Sequence, residues 1–300
     1  MAHPLSGILP ATITPFDSKG RFARAPFERL LERLYGAGVH GVYVCGTTGE
    51  GLLMSGADRE ALTEAAVAVT PRGRHVVAHV GAASMEETVA LARHAAAAGA
   101  HAISSMPPTV APFSFADVYR YYEVLAQSCD VPLVVYYLPD ISRAVATTEQ
   151  LAALCALPNV CGVKYTDFDL YRMQSVLDPD RVVYNGRDEV LAAGLLMGAN
   201  GGIGSFYNLV PSLFVAIHDA ARDGRWQEVQ TLQTRANTLI RLTLQFPLFP
   251  AIKQILAWSG LDCGDCLPPR TRLDEAQQQR LRDELVAAGF GDLVVDGGGH

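Results

Sequence analysis

Short apolar segments recur along the chain, and segments with a helical spacing of apolar residues lie between them. The short segments are apolar blocks rather than alternating patterns, which is typical of parallel strands covered on both faces. Eight can be distinguished, at residues 8–16, 41–46, 75–81, 101–107, 132–138, 161–166, 181–186 and 200–205. The pattern therefore predicts eight strands of a parallel α/β fold.

The segments between these strands carry the signals of helices. An apolar stripe at helical spacing covers residues 27–35 and is followed by glycines that favour a helix end. Ser84 with Glu87, and Thr147 with Gln150, have the spacing of capping boxes at helix starts. Helices are therefore expected to alternate with the strands.

Eight strands alternating with helices predict an α/β fold of the (β/α)8 TIM barrel type. A doubly wound sheet is the alternative, but the glycine-rich phosphate loop that usually follows its first strand is absent. No strand is predicted beyond residue 210, and the remaining segment has a helical pattern. We therefore predict a barrel catalytic domain over residues 1–224 and a C-terminal helical extension over residues 225–295.

Composition narrows the classes of partner. The 300 residues carry a formal net charge of −7, so a basic surface for nucleic acid or an anionic membrane is not expected. No apolar run reaches the roughly 20 residues of a membrane span, and the first residues lack a signal-peptide pattern. The 6 cysteines include a single C-x-x-C, Cys263 to Cys266, which is more typical of reduced thiols than of a zinc site. We expect a cytoplasmic protein.

The 8 histidines show no metal-ligand spacing, so no metal is expected.

Lys164 is the sharpest candidate for chemistry, because it lies near the end of an otherwise apolar strand. Reactive groups of TIM barrels collect at the carboxyl ends of the strands. Loss of water there disfavours the charged form of an amine, and a neutral amine can attack a ketone to form an imine. The alternative is a structural lysine that packs along apolar surface or pairs with a carboxylate. Spacing alone leaves both possibilities open.

The GTTGE segment after the second strand offers consecutive amides and the hydroxyls of Thr47 and Thr48. Such a turn is suited to holding a carboxylate, although an ordinary polar turn has the same composition. Glu50 fits a catalytic role or a structural bracket, a residue that holds two segments together, equally well.

Tyr136 and Tyr137 follow one another in the fifth strand, so only one can face the barrel interior. An interior phenol could transfer protons near an imine or simply fill the core.

Asp188 and Glu189 follow the seventh strand, where a helix is expected to begin. Carboxylates are favourable at a helix start, and they also accept hydrogen bonds from substrate hydroxyls. Glycosidase chemistry is disfavoured, because adjacent residues on one turn seldom approach one bond from two sides. His79 lies within the third strand, where a core imidazole is expected.

Five motifs occur in order along the chain: GTTGEG, YYLP, GVKYTDFDLY, YNGRDE and GANGGIGSFYN. Together they resemble the N-acetylneuraminate lyase and dihydrodipicolinate synthase superfamily of pyruvate-dependent class I aldolases. The resemblance extends from GILPATITPF to LPPRTRLDEAQQQRL, nearly the whole chain. It implies a TIM barrel with a helical C-terminal extension, a homotetramer, and no cofactor other than a covalent imine between substrate and protein.

The resemblance also implies roles for particular residues. Lys164 matches the lysine that condenses with pyruvate or another 2-oxo acid, and Tyr136 matches the catalytic tyrosine. Thr47 and Thr48 match the pair that holds the pyruvate carboxylate and relays a proton. Gly204 lies where the backbone approaches the same ligand. The residues that match those holding a polyhydroxylated chain in the lyase branch are Thr166, Gly186, Asp188, Glu189 and Ser205.

Three positions separate the branches of the superfamily. Ile141 stands where the synthase branch carries an arginine for its second substrate, and Val110 stands where that branch has a tyrosine that enters a neighbouring subunit. Both differences favour the lyase branch. Arg187 stands where bacterial-type lyases carry an aromatic residue, and its fixed charge points to a different sugar acid, for example one with an extra carboxylate.

The sequence therefore predicts a Schiff-base-forming lyase or aldolase that cleaves or condenses a 2-oxo sugar acid such as N-acetylneuraminate. The other partner would be a sugar aldehyde. Alternatives are a 2-keto-3-deoxy sugar acid aldolase or dehydratase, followed by dihydrodipicolinate synthase. A non-catalytic 2-oxo acid sensor is disfavoured, because Tyr136 and Thr47 accompany Lys164 and a sensor needs no proton relay.

Overall fold

A computed structural model describes residues 3–109 and 111–294 of the protein. Eight parallel strands form one sheet in the order β1-β8-β7-β6-β5-β4-β3-β2. A parallel bridge between Ala11 and Tyr43 brings the two ends of this order together, so the sheet is a nearly closed (β/α)8 barrel. The strands are β1 (Gly7–Pro10), β2 (Gly41–Val44), β3 (His75–His79), β4 (Ala102–Ser105), β5 (Leu133–Tyr137), β6 (Val160–Tyr165), β7 (Val182–Asn185) and β8 (Gly201–Gly204).

Helices connect the strands and continue beyond them. The barrel helices are α1 (Arg24–Gly36), α2 (Gly56–Val69), α3 (Met85–Ala98), α4 (Phe115–Ala126), α5 (Thr148–Cys155), α6 (Leu170–Gln174), α7 (Leu191–Leu196) and α8 (Pro211–Arg222). The helices that follow are α9 (Trp226–Thr243), α10 (Leu248–Trp258) and α11 (Glu275–Ala287). The predicted domain boundary at residue 224 falls between α8 and α9, and residue 295 lies outside the described residues. Within the part of the chain that is described, no helix combines the length and hydropathy that a bilayer crossing needs.

The first strand is shorter than the apolar pattern predicts. It ends at Pro10, whereas the apolar segment continues to Phe16. Residues 11–16 are all buried. The N–H groups of Ala11 and Thr12 still donate to β8 and β2, whereas the residues after them bond to loops. The N–H of Ile13, for example, donates to Asn208 Oδ1 at 3.1 Å. The apolar pattern of residues 13–16 therefore reflects their burial and not a strand.

The predicted capping boxes are present to different extents. At the start of α5, Thr147 and Gln150 form both hydrogen bonds of the box. At the start of α3, the Ser84 side chain accepts the N–H of Glu87. The Glu87 carboxylate is directed toward α2, where its Oε1 lies 3.7 Å from the position a Cβ would occupy on Gly56. Only half of that box therefore forms.

Histidines cluster at the amino-terminal ends of the strands, away from the carboxyl ends. The His40 and His218 rings lie 4.9 Å apart, and the His75 and His101 rings lie 5.4 Å apart. His40 Nδ1 accepts the N–H of Ile8 at 3.1 Å. Burial lowers the pKa of all four rings, and that of His40 falls to about 4.

This cluster leads to a prediction for stability. We expect the free energy of unfolding of the wild type to fall more steeply between pH 6.5 and 4.5 than that of His40→Asn. The unfolded chain, with a histidine pKa near 6.5, binds more protons than the folded ring in this range, so acid favours unfolding. One proton contributes at most about 1.4 kcal/mol per pH unit, and partial exposure of the ring reduces this value.

Urea unfolding at several pH values measures the difference. Asparagine at position 40 keeps an acceptor for the Ile8 N–H, so the variant removes the titration with little change of packing. Asp188 acts in the opposite direction, because burial raises its pKa to about 7 and the folded state takes up a proton there as the pH falls. Its contribution is common to both proteins and cancels. Parallel curves for the two proteins would contradict the prediction.

Candidate active site

Lys164 lies at the carboxyl end of β6 and is 5% exposed. Its Nζ atom lies 4.4 Å from the ring centroid of Tyr43 and 4.0 Å from that of Tyr136. Among the residues that the structure describes, no carboxylate forms an ion pair with this amine. The lysine therefore neither extends to solvent nor pairs with an acid, and it presents its nitrogen inside the mouth of the barrel.

The two neighbouring tyrosines of β5 separate as strand alternation predicts. Tyr136 is paired in register with Lys164 on the adjacent strand, and its side chain belongs to the apolar cluster inside the barrel. Tyr137 belongs to the layer between strands and helices. There its phenol accepts a hydrogen bond from Arg172 Nη1 at 2.7 Å. Of these two β5 tyrosines, only Tyr136 is thus placed beside the amine.

The turn after β2 brings two hydroxyls to the same mouth. Thr48 Oγ1 lies 2.6 Å from Ser205 Oγ, which joins the loops after β2 and β8. Thr47 Oγ1 is buried and forms no hydrogen bond within the described structure. The turn is held in place by Thr14, whose hydroxyl donates to the Gly49 carbonyl at 2.7 Å. The predicted carboxylate-holding turn therefore has one hydroxyl engaged and one without a partner.

Further buried polar atoms lack partners at the ends of neighbouring strands. Thr166 Oγ1 follows β6, and Asp188 Oδ1 follows β7; like Thr47 Oγ1, neither has a hydrogen-bond partner in residues 3–109 and 111–294. A buried polar atom without a partner costs about 1–3 kcal/mol. Such atoms on three strands of one barrel end indicate a site that a polar ligand completes.

Two glycines allow these side chains to enter the site. A Cβ on Gly204 would lie 1.7 Å from Asp188 Oδ1, and a Cβ on Gly186 would lie 2.0 Å from Thr166 Oγ1. The resemblance assigns Gly204 to backbone contact with the keto acid. The structure adds that the space beside its Cα is occupied by the Asp188 carboxylate, so only glycine is accommodated.

Asp188 and Glu189 begin a short 3-10 helix, Asp188–Val190. Asp188 Oδ2 accepts the N–H of Phe206 at 2.9 Å, and the residue is 5% exposed. Burial raises the pKa of the Asp188 carboxyl to about 7, and the nearby Glu189 charge adds to this. Near neutral pH Asp188 can therefore donate or accept a hydrogen bond. Glu189 is half-buried beside it.

Arg187 takes part in a charged bridge that sequence reasoning missed. Its guanidinium pairs with the Asp140 carboxylate from the loop after β5 and stacks on the Phe168 ring, 4.7 Å from its centroid. The bridge connects the loops after β5 and β7 across the loop after β6. The only available signal was that Asp140 directly follows the YYLP motif, and no local pattern pairs it with Arg187.

Glu50 is a structural bracket rather than a catalyst. Its carboxylate is 0% exposed, lies 3.3 Å from Lys253 Nζ and 3.2 Å from Arg270 Nη1, and accepts the N–H of Leu267 at 2.9 Å. All three partners lie beyond α9. His79 is a core imidazole, as predicted: its Nε2 accepts the N–H of Met106 at 3.2 Å.

One group of possible metal ligands occurs in the described ranges: His40, His218 and Asp219, whose ligand atoms lie within 4.8 Å of one another. It lies near the amino-terminal ends of the strands, at the opposite end of the barrel from Lys164. Because His40 Nδ1 accepts the N–H of Ile8, the ring hydrogen of the neutral imidazole is on Nε2. That nitrogen is a donor, so the group does not fit a metal.

Of the positions that distinguish the branches, Ile141 is 47% exposed on the loop after β5. Val110 lies outside the described residues. The remaining predicted site residues all lie at the carboxyl ends of β2, β5, β6, β7 and β8. They divide into a group around Lys164 (Tyr136, Thr47 and Thr48) and a group after β6, β7 and β8 (Thr166, Gly186, Arg187, Asp188, Glu189, Gly204 and Ser205).

Comparisons with known proteins agree with the resemblance. The chain is 36% identical over 285 residues to the N-acetylneuraminate lyase of Rhizobium meliloti, covering 94% of this chain and 95% of that protein. A crystal structure of N-acetylneuraminate lyase from Mycoplasma synoviae superimposes with a TM-score of 0.86 at 30% identity, covering 94% of this chain and 97% of that one. CdNal from Clostridium difficile, solved in complex with mannosamine, gives a TM-score of 0.90 at 25% identity over 95% of this chain and 99% of that one.

A family model provides the assignment. The model of the Dihydrodipicolinate synthetase family matches residues 4–288, which include all eight strands and helices α1 to α11. The five motifs, the barrel fold and the relatives that match over nearly their whole length all indicate the same family. The chain therefore belongs to the dihydrodipicolinate synthetase family.

Proposed function

We propose that the protein is a carbon–carbon lyase of the class I aldolase type that cleaves, or forms, a 2-oxo sugar acid such as N-acetylneuraminate. The observation that carries the proposal is the buried amine of Lys164 beside the Tyr136 ring. It lies at the end of the barrel where buried polar atoms after three strands have no hydrogen-bond partner among the described residues. Curated relatives at 36–37% identity are N-acetylneuraminate lyases. Their activity supports the same reaction class here.

The reaction begins at the amine. Lys164 Nζ attacks the C2 carbonyl carbon of the open-chain sugar acid, and loss of water gives an imine. Tyr136 accepts the proton of the C4 hydroxyl, while its own proton passes through Thr47 to the substrate carboxylate. The C3–C4 bond then breaks, and its electron pair moves into the imine to give an enamine. Protonation at C3 and hydrolysis release pyruvate and regenerate the amine.

The two ends of the site hold different parts of the substrate. Thr48 and the backbone amides of its turn hold the carboxylate next to the reacting ketone. Hydroxyls of the sugar chain complete the unpaired Thr166 Oγ1 and Asp188 Oδ1, with Glu189 and Ser205 alongside. A substrate without those hydroxyls leaves the buried atoms unpaired, which makes such a site selective.

In this mechanism the imine accepts the electron pair, so we propose that the reaction needs no metal or organic cofactor. The resemblance further leads us to propose a homotetramer in the cytoplasm. Light scattering coupled to size exclusion measures the mass of the assembly in solution. A monomer at micromolar concentration would contradict the assembly.

Trapping with pyruvate tests the function directly. The protein is mixed with pyruvate and borohydride, and its intact mass and peptide map are measured. We expect one reduced pyruvate adduct, located on Lys164. Release of pyruvate from N-acetylneuraminate and 2-keto-3-deoxygluconate, and its consumption with aspartate semialdehyde, then distinguish the branches. No adduct would overturn the aldolase proposal, and cleavage of the deoxygluconate alone would overturn the sialic acid preference.

Arg187, which stands where bacterial-type lyases carry an aromatic residue, favours a second candidate, a lyase for a related sugar acid. We expect Arg187→Tyr to change the ratio of kcat/KM for N-acetylneuraminate and 2-keto-3-deoxygluconate by about tenfold or more, because hydrogen bonds to charged groups contribute about 1.5–3 kcal/mol. Pyruvate trapping should change little, since the bridge lies over the loop after β6 and not at the amine.

Asp140→Asn is the matched control for this variant. It leaves Arg187 in place and removes only an ion pair whose carboxylate is 65% exposed, which contributes about 0–1 kcal/mol. A small effect of this control beside a large effect of Arg187→Tyr assigns the specificity to the guanidinium. Loss of the pyruvate adduct in Arg187→Tyr would show that Arg187 acts at the keto acid end instead.

A further inference from the structure

The described part of the C-terminal extension contacts the active site at two separate turns. One is the turn over residues 46–51, which carries Thr47 and Thr48; the other is the short helix Asp188–Val190. We infer that the extension is a two-point positioning device, in which one contact places the keto acid end of the site and the other places the sugar end. This inference rests on the proposed function, which assigns a substrate part to each turn.

The first contact holds the turn over residues 46–51, whose flanking backbone has an unfavourable conformation. Cys45 and Glu50 have φ angles of 58° and 59°, in the left-handed region that residues with side chains seldom adopt. Such backbone persists where the surroundings hold it. Thr47 and Thr48 lie between these two residues, so their hydroxyls depend on this conformation.

The surroundings of Glu50 come from the extension. Lys253 of α10 is 4% exposed and forms the ion pair with the Glu50 carboxylate, and its Nζ also donates to the Asp265 carbonyl at 2.7 Å. The ammonium lies 4.4 Å from the centroid of the Phe16 ring. Both charges are therefore fixed by further contacts. Removal of the Lys253 ammonium leaves the buried Glu50 carboxylate with Arg270 as its remaining cationic partner, which lies 3.2 Å away.

The second contact holds the backbone of the sugar-binding turn. On α9, Gln233 Nε2 donates to the Asp188 carbonyl at 3.0 Å, and Asn237 Nδ2 donates to the Glu189 carbonyl at 2.9 Å. Gln233 Oε1 accepts the N–H of Ala192 at 2.9 Å, so the same side chain fixes the start of α7. These amides set the direction from which the Asp188 and Glu189 carboxylates meet the sugar.

Because the two contacts support different turns, we expect variants of each contact to weaken the binding of a different part of the substrate. In Lys253→Met, we expect the pyruvate concentration that half-saturates borohydride trapping to rise about tenfold or more, because small misplacements of a binding group have large effects. The KM for N-acetylmannosamine, measured in the condensation direction at saturating pyruvate, should change less than about threefold. In Asn237→Leu, we expect the reverse pattern.

Matched variants distinguish positioning from general stability. Lys253→Arg keeps the charge and should restore pyruvate affinity. Arg33→Gln removes another bond between barrel and extension, from Arg33 Nη1 to Ser259 Oγ at 2.7 Å, which touches neither turn. It should leave both constants unchanged. If Lys253→Met does not fold, Glu50→Gln, which retains an acceptor for the Leu267 N–H, replaces it.

Thermal unfolding and circular dichroism of each full-length variant establish that folded proteins are compared. The crossed pattern, with pyruvate affinity lost in one variant and sugar affinity in the other, supports the inference. Equal changes of both constants in both variants, in proportion to lost thermal stability, would overturn it. In that case the wild-type adduct would still form, whereas a wild type without an adduct would overturn the proposed function and this inference with it.

Discussion

Lys164→Arg is expected to abolish the reduced pyruvate adduct and to lower kcat roughly 10⁴-fold or more, the scale seen when a covalent nucleophile is removed. The substitution keeps a long basic side chain between the rings of Tyr43 and Tyr136, whose centroids lie 4.4 and 4.0 Å from the native amine nitrogen. A guanidinium stays protonated and does not form an imine. The loss therefore reports nucleophilicity rather than the absence of a basic side chain.

Lys164→Met completes this experiment. It removes the amine and retains an unbranched side chain in the same cavity, so both variants should fold, as melting curves would show. Trapping is followed by intact mass, and pyruvate release by a coupled assay with N-acetylneuraminate. An adduct on either variant would place the nucleophile at another amine. Cleavage near the wild-type rate without any adduct would exclude an imine mechanism.

Tyr136→Phe is expected to separate imine formation from bond cleavage. The pyruvate adduct should still form, because the amine is unchanged. Cleavage of the sugar acid should fall roughly 10²–10⁴-fold, the usual contribution of a positioned acid or base. The phenyl ring preserves the packing on Lys164 inside the barrel, so the missing hydroxyl is the only large change. Single-turnover mixing with N-acetylneuraminate measures the cleavage step.

Tyr137→Phe is the control for this variant, because it removes the same hydroxyl from the next residue of the same strand. That hydroxyl points out of the barrel and accepts a bond from Arg172, so kcat should remain near the wild-type value. Loss of cleavage in both variants would indicate a disturbed β5 rather than a missing proton acceptor. Full activity of Tyr136→Phe would assign the proton transfer to a different group.

The parts of this protein that sequence reasoning reached are those governed by local periodicity. Apolar blocks predict the strands, and strand alternation separates Tyr136 from Tyr137. The end of a parallel strand places Lys164 at the barrel mouth, because all carboxyl ends of the strands meet there. The first strand was predicted too long, since bonding to the neighbouring barrel strands ends at Thr12 and burial of residues 13–16 imitates a strand.

Local periodicity in the sequence could not predict contacts between distant segments of the chain. Glu50 could be a catalyst or a bracket until Lys253 and Arg270 appeared around its carboxylate. Likewise Arg187 stands out in the sequence as a departure from the lyase pattern, but nothing there pairs it with Asp140. Ion pairs carry no periodic signal, so only the folded chain shows which charges meet.

The close approach of Gly204 to Asp188 has a consequence for engineering the enzyme. A Cβ at position 204 would lie 1.7 Å from the carboxylate oxygen, so libraries that vary position 204 alone will consist almost entirely of inactive clones. Shortening residue 188 vacates that volume and makes position 204 mutable. The two codons therefore have to be randomised together.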